Sequence, residues 1–179
     1  MRETDVTDMD TVAGEGLRRR RGGGREGHAR NAAPQQAPWA QPRMHMRPTE
    51  LLSAIRCRDA DRSWIETYRS LDLGKSWTRD ETPVSDTGEG NPPSLIRLKD
   101  GRLCLTYGYR APPYEMRARL SSDGGRTWHP EFTIRASGGG RDIGYPRSVQ
   151  RTDGKIVTVY YFHDEPKGVR YIAATIWEP

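Results

Sequence analysis

The sequence predicts an all-β chain: about three blades of a β-propeller behind a disordered, basic N-terminal leader. Three observations carry this expectation. An octet of the form Ser-x-Asp-x-Gly-x-(Ser/Thr)-Trp occurs twice, 51 residues apart, with Ser70, Asp72, Gly74 and Trp77 in one copy and Ser121, Asp123, Gly125 and Trp128 in the other. A run that starts at proline and ends in Asp-Gly also occurs twice, Pro93 to Asp100-Gly101 and Pro146 to Asp153-Gly154, 53 residues apart. A third echo keeps that offset, Met116 to Leu120 against Val169 to Ala173. A repeating unit of 51–53 residues made of four short strands is a propeller blade.

The leader spans residues 1–47. It holds nine arginines, no lysine and six acids, including the run Arg18-Arg19-Arg20-Arg21 and a stretch rich in Ala, Pro and Gln over 32–42. It shows no sustained strand or helix period and offers too little apolar surface to offset the entropy of ordering. An arginine block can contact nucleic acid or another anionic surface, but such blocks are usually solvated tails. Met44 or Met46 is a natural alternative start. The remaining residues, 48–179, hold twenty basic and eighteen acidic side chains and are close to neutral. Nucleic acid is therefore not the expected partner of the body.

The strands follow in order. The first blade, about 49–82, is expected to keep three of its four strands, at 49–57, 64–70 and 77–82. The second, about 93–134, is complete, with strands at 93–98, 102–109, 115–121 and 128–134. The third, about 145–177, has three, at 145–151, 155–162 and 169–177. Asp-Gly between apolar segments is a strong hairpin signal, because glycine accepts positive φ. No amphipathic helix is evident. In the octets the Asp can accept bonds from turn amides, the Gly permits a tight turn, and the Trp is expected to enter the next strand and fill space between sheets. These roles are structural; the other reading of the tryptophan is an exposed sugar platform.

At this octet the chain resembles the sialidase superfamily, whose Asp-boxes have this form and join the third and fourth strands of a blade. The resemblance covers roughly residues 49–179. It implies about three of six blades, the C-terminal half of a sialidase-like propeller behind an unrelated leader. Asn91 through Asp100-Gly101 to Arg110 looks like a sialidase inner-strand pair with its terminal arginine. Gly144-Tyr145-Pro146 through Tyr160-Tyr161 looks like the later element, which carries the family's nucleophilic tyrosine. The implied function is hydrolysis of terminal sialic-acid-type glycosidic bonds in full-length relatives, this chain alone being inactive. The alternative is a non-catalytic propeller module that binds glycan or protein.

The chemistry of such a substrate explains the residue types. A sialic acid carries a carboxylate, which the planar fork of arginine can bind bidentately. The same carboxylate repels a carboxylate nucleophile at the neighbouring anomeric carbon, so a tyrosine is used instead. Carried over, Tyr145 holds the nucleophile position; alternatively it is an aromatic that packs near the axis. Arg110 and Arg56 hold substrate-binding positions at strand ends; alternatively each is a rim arginine paired with an acid. Tyr145 and Arg110 are expected to face one mouth. Pro92 stands where a glutamate is usual, no acid/base aspartate is found, and 174–179 does not repeat the octet.

The remaining features add little chemistry. Neither His28, His45, His129 and His163 nor Cys57 and Cys104 have metal-ligand spacing, so no metal and no cofactor are expected. The cysteines are read as reduced thiols. His163-Asp164-Glu165 is read as a solvated turn and Gly138-Gly139-Gly140-Arg141 as an inter-blade loop. No signal peptide or apolar run of membrane-spanning length is seen, so a cytoplasmic location and no membrane partner are expected. A carbohydrate substrate is the expected partner. Self-association is a second expectation, because three open blades expose sheet faces and an edge.

Overall fold

A computed structural model describes residues 47–179. Apart from Arg47, the basic leader lies outside the described residues. Ten strands form three antiparallel sheets. The first sheet holds β1 (Leu51–Arg58), β2 (Ser63–Ser70) and β3 (Thr78–Arg79). The second holds β4 (Ser94–Arg97), β5 (Leu103–Tyr109), β6 (Glu115–Ser121) and β7 (Phe132–Arg135). The third holds β8 (Gly144–Gln150), β9 (Ile156–Phe162) and β10 (Tyr171–Trp177). These are three consecutive propeller blades, each with its strands side by side in chain order.

Burial follows from where each strand sits. β5 is central in the middle blade and is buried on both faces almost throughout, so it reads Leu-Cys-Leu-Thr-Tyr-Gly-Tyr without polar alternation. β9, in the third blade, buries Ile156, Thr158, Tyr160 and Phe162 on one face only. Between the first and second blades the core is Ile65, Val84, Leu105 and Tyr107, with Ala54, Leu95 and Trp128 packed against it. Between the second and third, one cluster holds Leu98, Cys104 and Ile156 with Ile96, Leu120 and Trp177. A second holds Met116, Ile143, Tyr160, Phe162 and Ala173. Hydrophobic burial between faces thus fixes the stacking. Polar bonds set its register: the amide of Ser148 donates to Ser94 Oγ at 3.1 Å, and Lys99 Nζ donates to the carbonyls of Arg151 (2.8 Å) and Thr152 (3.1 Å).

Both octets form the same closed turn. The Ser70 hydroxyl donates to Asp72 Oδ1 at 2.7 Å and accepts from the amide of Gly74 at 2.7 Å. Asp72 accepts from the amide (2.9 Å) and hydroxyl (2.6 Å) of Ser76, and Trp77 Nε1 donates to the Gly74 carbonyl at 3.1 Å. The second octet repeats this with Ser121, Asp123, Gly125, Thr127 and Trp128. Gly74 and Gly125 both require positive φ, 88° and 91°. The Asp72 carboxyl is held down to about 2, first by the Ser76 hydroxyl and amide and then by Ser70. Arg69 joins the turns of two blades. It is buried, pairs with Glu50 and with Asp80 (2.5 Å), and donates to the carbonyl of Gly124 at 2.7 Å.

Three expectations need correction. Trp77 does not fill space between sheets: it is 45% exposed, whereas Trp128 packs against the first core. The motif is the same, but Trp128 has the first blade beside it and Trp77 lies on that blade's outer side, next to Leu51. The outermost strands are shorter than expected, Thr78–Arg79 and Phe132–Arg135, so each Trp precedes its strand. His163 is not on a solvated turn; it is buried, because Gly139 and Gly140 lie across it. The glycine run does connect the second and third blades, with the Gly138 amide on the Tyr114 carbonyl and the Gly139 amide on that of His163, each at 2.8 Å.

Candidate functional site

The start of β8 is where the chain makes its least ordinary backbone. Gly144 has φ of 121° and Tyr145 has φ of 52°, and the pairing with β9 slips between Gly144 and Arg147. A non-glycine residue in the left-handed region costs on the order of 1 kcal/mol. Asn91, fully buried, holds this conformation. Its Nδ2 donates to the Ile143 carbonyl at 3.0 Å, and its Oδ1 accepts from the amides of Gly108 and Tyr145, both at 3.3 Å. Glycine is needed at 108 and 144, since a Cβ would stand 2.6 Å and 2.1 Å from the Asn91 nitrogen. The Asn91 side chain therefore ties the end of β5 to the start of β8.

Arg110 follows β5 directly and is fixed by the same carbonyl. Its Nε donates to Ile143 O at 2.8 Å and its Nη2 donates to the hydroxyl of Tyr161. The guanidinium lies over the rings of Tyr145 (5.6 Å) and Tyr161 (5.9 Å), which are themselves 5.8 Å apart. Tyr145 is half exposed. Arg110 and Tyr145, singled out from the sequence, are thus brought together. Arg56 is not: it sits in β1 opposite Ile65 and does not line the cleft described next. Leu51 faces Ser70 as Leu103 faces Ser121, so in register Arg56 takes the place of Gly108, and Arg58 that of Arg110.

Arg110 opens onto a cleft of about 540 Å³, which is lined also by Glu89, Arg141, Asp142, His163 and Arg170. Arg141 donates to both oxygens of Glu89 at 2.6 and 2.7 Å, and Arg170 pairs with Asp142 at 2.8 Å. Asp142 also accepts the Tyr161 hydroxyl at 2.9 Å. The Tyr161 oxygen therefore accepts from Arg110 and donates to Asp142. Burial, and then the bond to Asp142, push the Tyr161 phenol up to about 12, so it is neutral near pH 7. The Tyr161 hydroxyl first, and Arg170 with it, hold the Asp142 carboxyl below the usual range against the opposing effect of burial.

Two polar groups in the cleft stand apart. Arg110 pairs with no carboxylate among the described residues; its acceptors are a carbonyl and a phenol. His163 donates from Nδ1 to the Glu165 carbonyl at 2.7 Å, and its buried Nε2 has no partner among the described residues. A carbonyl can only accept, so Nδ1 carries a proton. No group of His, Cys, Asp or Glu among the described residues is arranged to hold a metal ion. Glu89, Arg141, Asp142, Tyr161, His163 and Arg170 were not assigned to the site from sequence. Glu89, Arg141 and Asp142 lie in inter-blade loops, His163 and Arg170 in the connection between β9 and β10, and Tyr161 on β9, and no local motif marks them.

The sequence model of the BNR repeat-like domain matches residues 21–158. Among curated proteins none matches. Among solved structures, a protein of unknown function from Dyadobacter fermentans is 32% identical with a TM-score of 0.60, over 72% of this chain and 35% of that one. An alpha-L-arabinanase from Penicillium chrysogenum, solved with arabinobiose, is 17% identical with a TM-score of 0.53, over 71% of this chain and 40% of that one. The chain therefore spans between a third and two-fifths of the length of these two structures.

Proposed function

The chain belongs to the BNR repeat-like domain family, and from that premise we propose that its cleft is part of a carbohydrate site of the sialidase-like glycoside hydrolase kind, shaped for a terminal sugar that carries a carboxylate. One observation carries this reading. Arg110 is fixed in the cleft wall by two neutral acceptors, so its charge is available to an incoming anion. A guanidinium already oriented by other bonds loses little entropy on binding a carboxylate. Tyr145, half exposed beside it, offers the sugar an aromatic face and a phenol.

The same arrangement supports phenol chemistry next to a bound carboxylate. A neutral phenol can approach a carbon that an anionic nucleophile cannot, provided that a base takes its proton as it attacks. Tyr145 holds the position that the resemblance gives to the nucleophile. Tyr161 is the phenol with a base in place, Asp142 at 2.9 Å. The second reading is a neutral pentose site of the arabinanase kind. What favours it is that two carboxylates, Glu89 and Asp142, line the cleft, as most glycosidases require, together with the fold shared with the Penicillium enzyme.

Saturation-transfer NMR with N-acetylneuraminic acid and with arabinobiose separates the readings, and a fluorogenic sialoside reports turnover. Transfer to N-acetylneuraminic acid that disappears in Arg110→Ala is the expected result. Transfer to arabinobiose alone would sink the carboxylate reading. If a sialoside is turned over, Tyr145→Phe and Tyr161→Phe identify the reacting phenol; binding without turnover makes the site a glycan-recognition module.

A further inference from the structure

A second cleft, of about 480 Å³, lies between the first and second blades, and this chain supplies both of its walls. The segment that leaves the first blade forms one wall: Val84 bridges to Ile65 of β2, and Ser85 and Asp86 follow it. On the other side stand Arg117 and Arg119 of β6, with Pro130 and Glu131 just before β7. Tyr109, at the end of β5, joins them. The two clefts share elements but no residue. The loop that lines the first cleft with Glu89 lines this one with Asp86, and Tyr109 directly precedes Arg110.

The polar groups of this cleft are fixed by the fold. The Glu131 carboxylate accepts from Arg117 at 2.9 Å and from the hydroxyl of the buried Tyr107. Burial first, and then Glu131, push the Tyr107 phenol above its usual range, so it remains the donor. Arg117 also donates to Glu115 at 2.8 Å, and its guanidinium lies 3.8 Å over the centre of the Tyr109 ring. Arg119 donates to the carbonyls of His129 (2.8 Å) and Pro83, and it pairs with no carboxylate among the described residues. Asp86 is exposed, accepts from the Gly88 amide at 2.7 Å, and pairs with no cation among the described residues.

Charge decides which ligand suits it. Three arginines and two carboxylates line the first cleft, whereas the second has two of each, Arg117 and Arg119 against Asp86 and Glu131. An anion drawn to Arg119 also meets Asp86, and a cation drawn to Asp86 also meets Arg119. A neutral polyol meets no such conflict. Each hydroxyl of a sugar ring both donates and accepts, so neighbouring hydroxyls can accept from Arg119 and donate to Asp86. Pro130 and Val84 give the C–H edge of the ring an apolar contact. A few placed polar groups in a cleft of a few hundred Å³ are what a small ligand requires. We propose that this second cleft binds a neutral sugar unit of a glycan, independently of the site at Arg110.

Proton–nitrogen NMR of the 179-residue chain, titrated with the methyl glycosides of galactose, glucose, mannose and arabinose, tests this. At least one of the four should shift the Nε–H signals of Arg117 and Arg119 and the amide of Asp86, saturating with a dissociation constant on the order of 1 mM. N-acetylneuraminic acid should leave these three signals in place whatever it does at Arg110, so the outcome is separate from the reading of the first cleft. Asp86→Ala changes an exposed side chain and should weaken the binding at least fivefold, with unchanged circular dichroism. If none of the four glycosides moves the Arg117 and Arg119 signals, the proposal is overturned. Binding that Asp86→Ala leaves at full strength would overturn it too, as would N-acetylneuraminic acid shifting these signals as strongly as the neutral glycosides do.

Discussion

Replacing Asn91 by alanine should loosen the site and the joint between two blades in one step. The side chain is fully buried and makes three bonds, to the Ile143 carbonyl and from the amides of Gly108 and Tyr145. After truncation the Ile143 carbonyl still accepts from Arg110 at 2.8 Å, and the Tyr145 amide lies at a half-exposed residue where water can replace the lost acceptor. The Gly108 amide is buried and has no such recourse. One orphaned buried group costs about 1–3 kcal/mol, and the small cavity adds to it, so a loss of about 2–4 kcal/mol is expected. Urea denaturation measures this. Asn91→Asp keeps the acceptor for both amides but sets an anion against the Ile143 carbonyl; its loss should shrink as pH falls and the carboxyl is protonated. The Nε–H resonance of Arg110, which reports its bond to Ile143, should shift in both variants. Stability within about 0.5 kcal/mol of wild type, together with an unmoved Arg110 signal, would refute the role of Asn91 as the clamp of this site.

Other outcomes follow from the same geometry. Trp128→Ala should cost about 2–4 kcal/mol by chemical denaturation, and Trp77→Ala markedly less, because only the first packs against a core. The Asp72 carboxyl is depressed from 3.8 to about 2 in the folded chain, so its stabilisation is complete above pH 3.8 and is lost as pH falls through 2. Asp72→Asn should therefore flatten the acid limb of the stability curve. Burial pushes the Cys104 thiol up to about 12, so alkylation at pH 8 should label the half-buried Cys57 first and reach Cys104 only on unfolding, as peptide mapping would show.

What the sequence made legible was what it encodes locally. Each octet closes on its own side chains within eight residues, so Ser70, Asp72, Ser121 and Asp123 could be placed without knowing the fold. The Asp-Gly turns and the alternation of β9 are equally local. The meeting of Arg110 and Tyr145 was legible because two repeats share one offset, which places strand ends of adjacent blades at the same mouth. Arg56 shows the limit of that device. In register with the second blade it is Arg58 that takes the place of Arg110, while Arg56, two residues earlier, matches Gly108 inside the strand. Trp77 shows a second limit, since an identical motif is buried or exposed according to which sheet lies beside it. Asp142, Tyr161 and His163 become a site only when the third blade packs on the second. The partners of Asp142 and Tyr161 are set by tertiary contact, which no short pattern records.

The proposed carboxylate recognition by Arg110 is tested most directly by calorimetric titration of the 179-residue chain with N-acetylneuraminic acid and with its methyl ester, which keeps the hydroxyls and removes the charge. The acid should bind and the ester should bind at least tenfold more weakly. That preference should vanish in Arg110→Ala while the melting temperature stays within a few degrees of wild type. Equal affinity for acid and ester, or an undiminished preference in Arg110→Ala, would contradict the assignment.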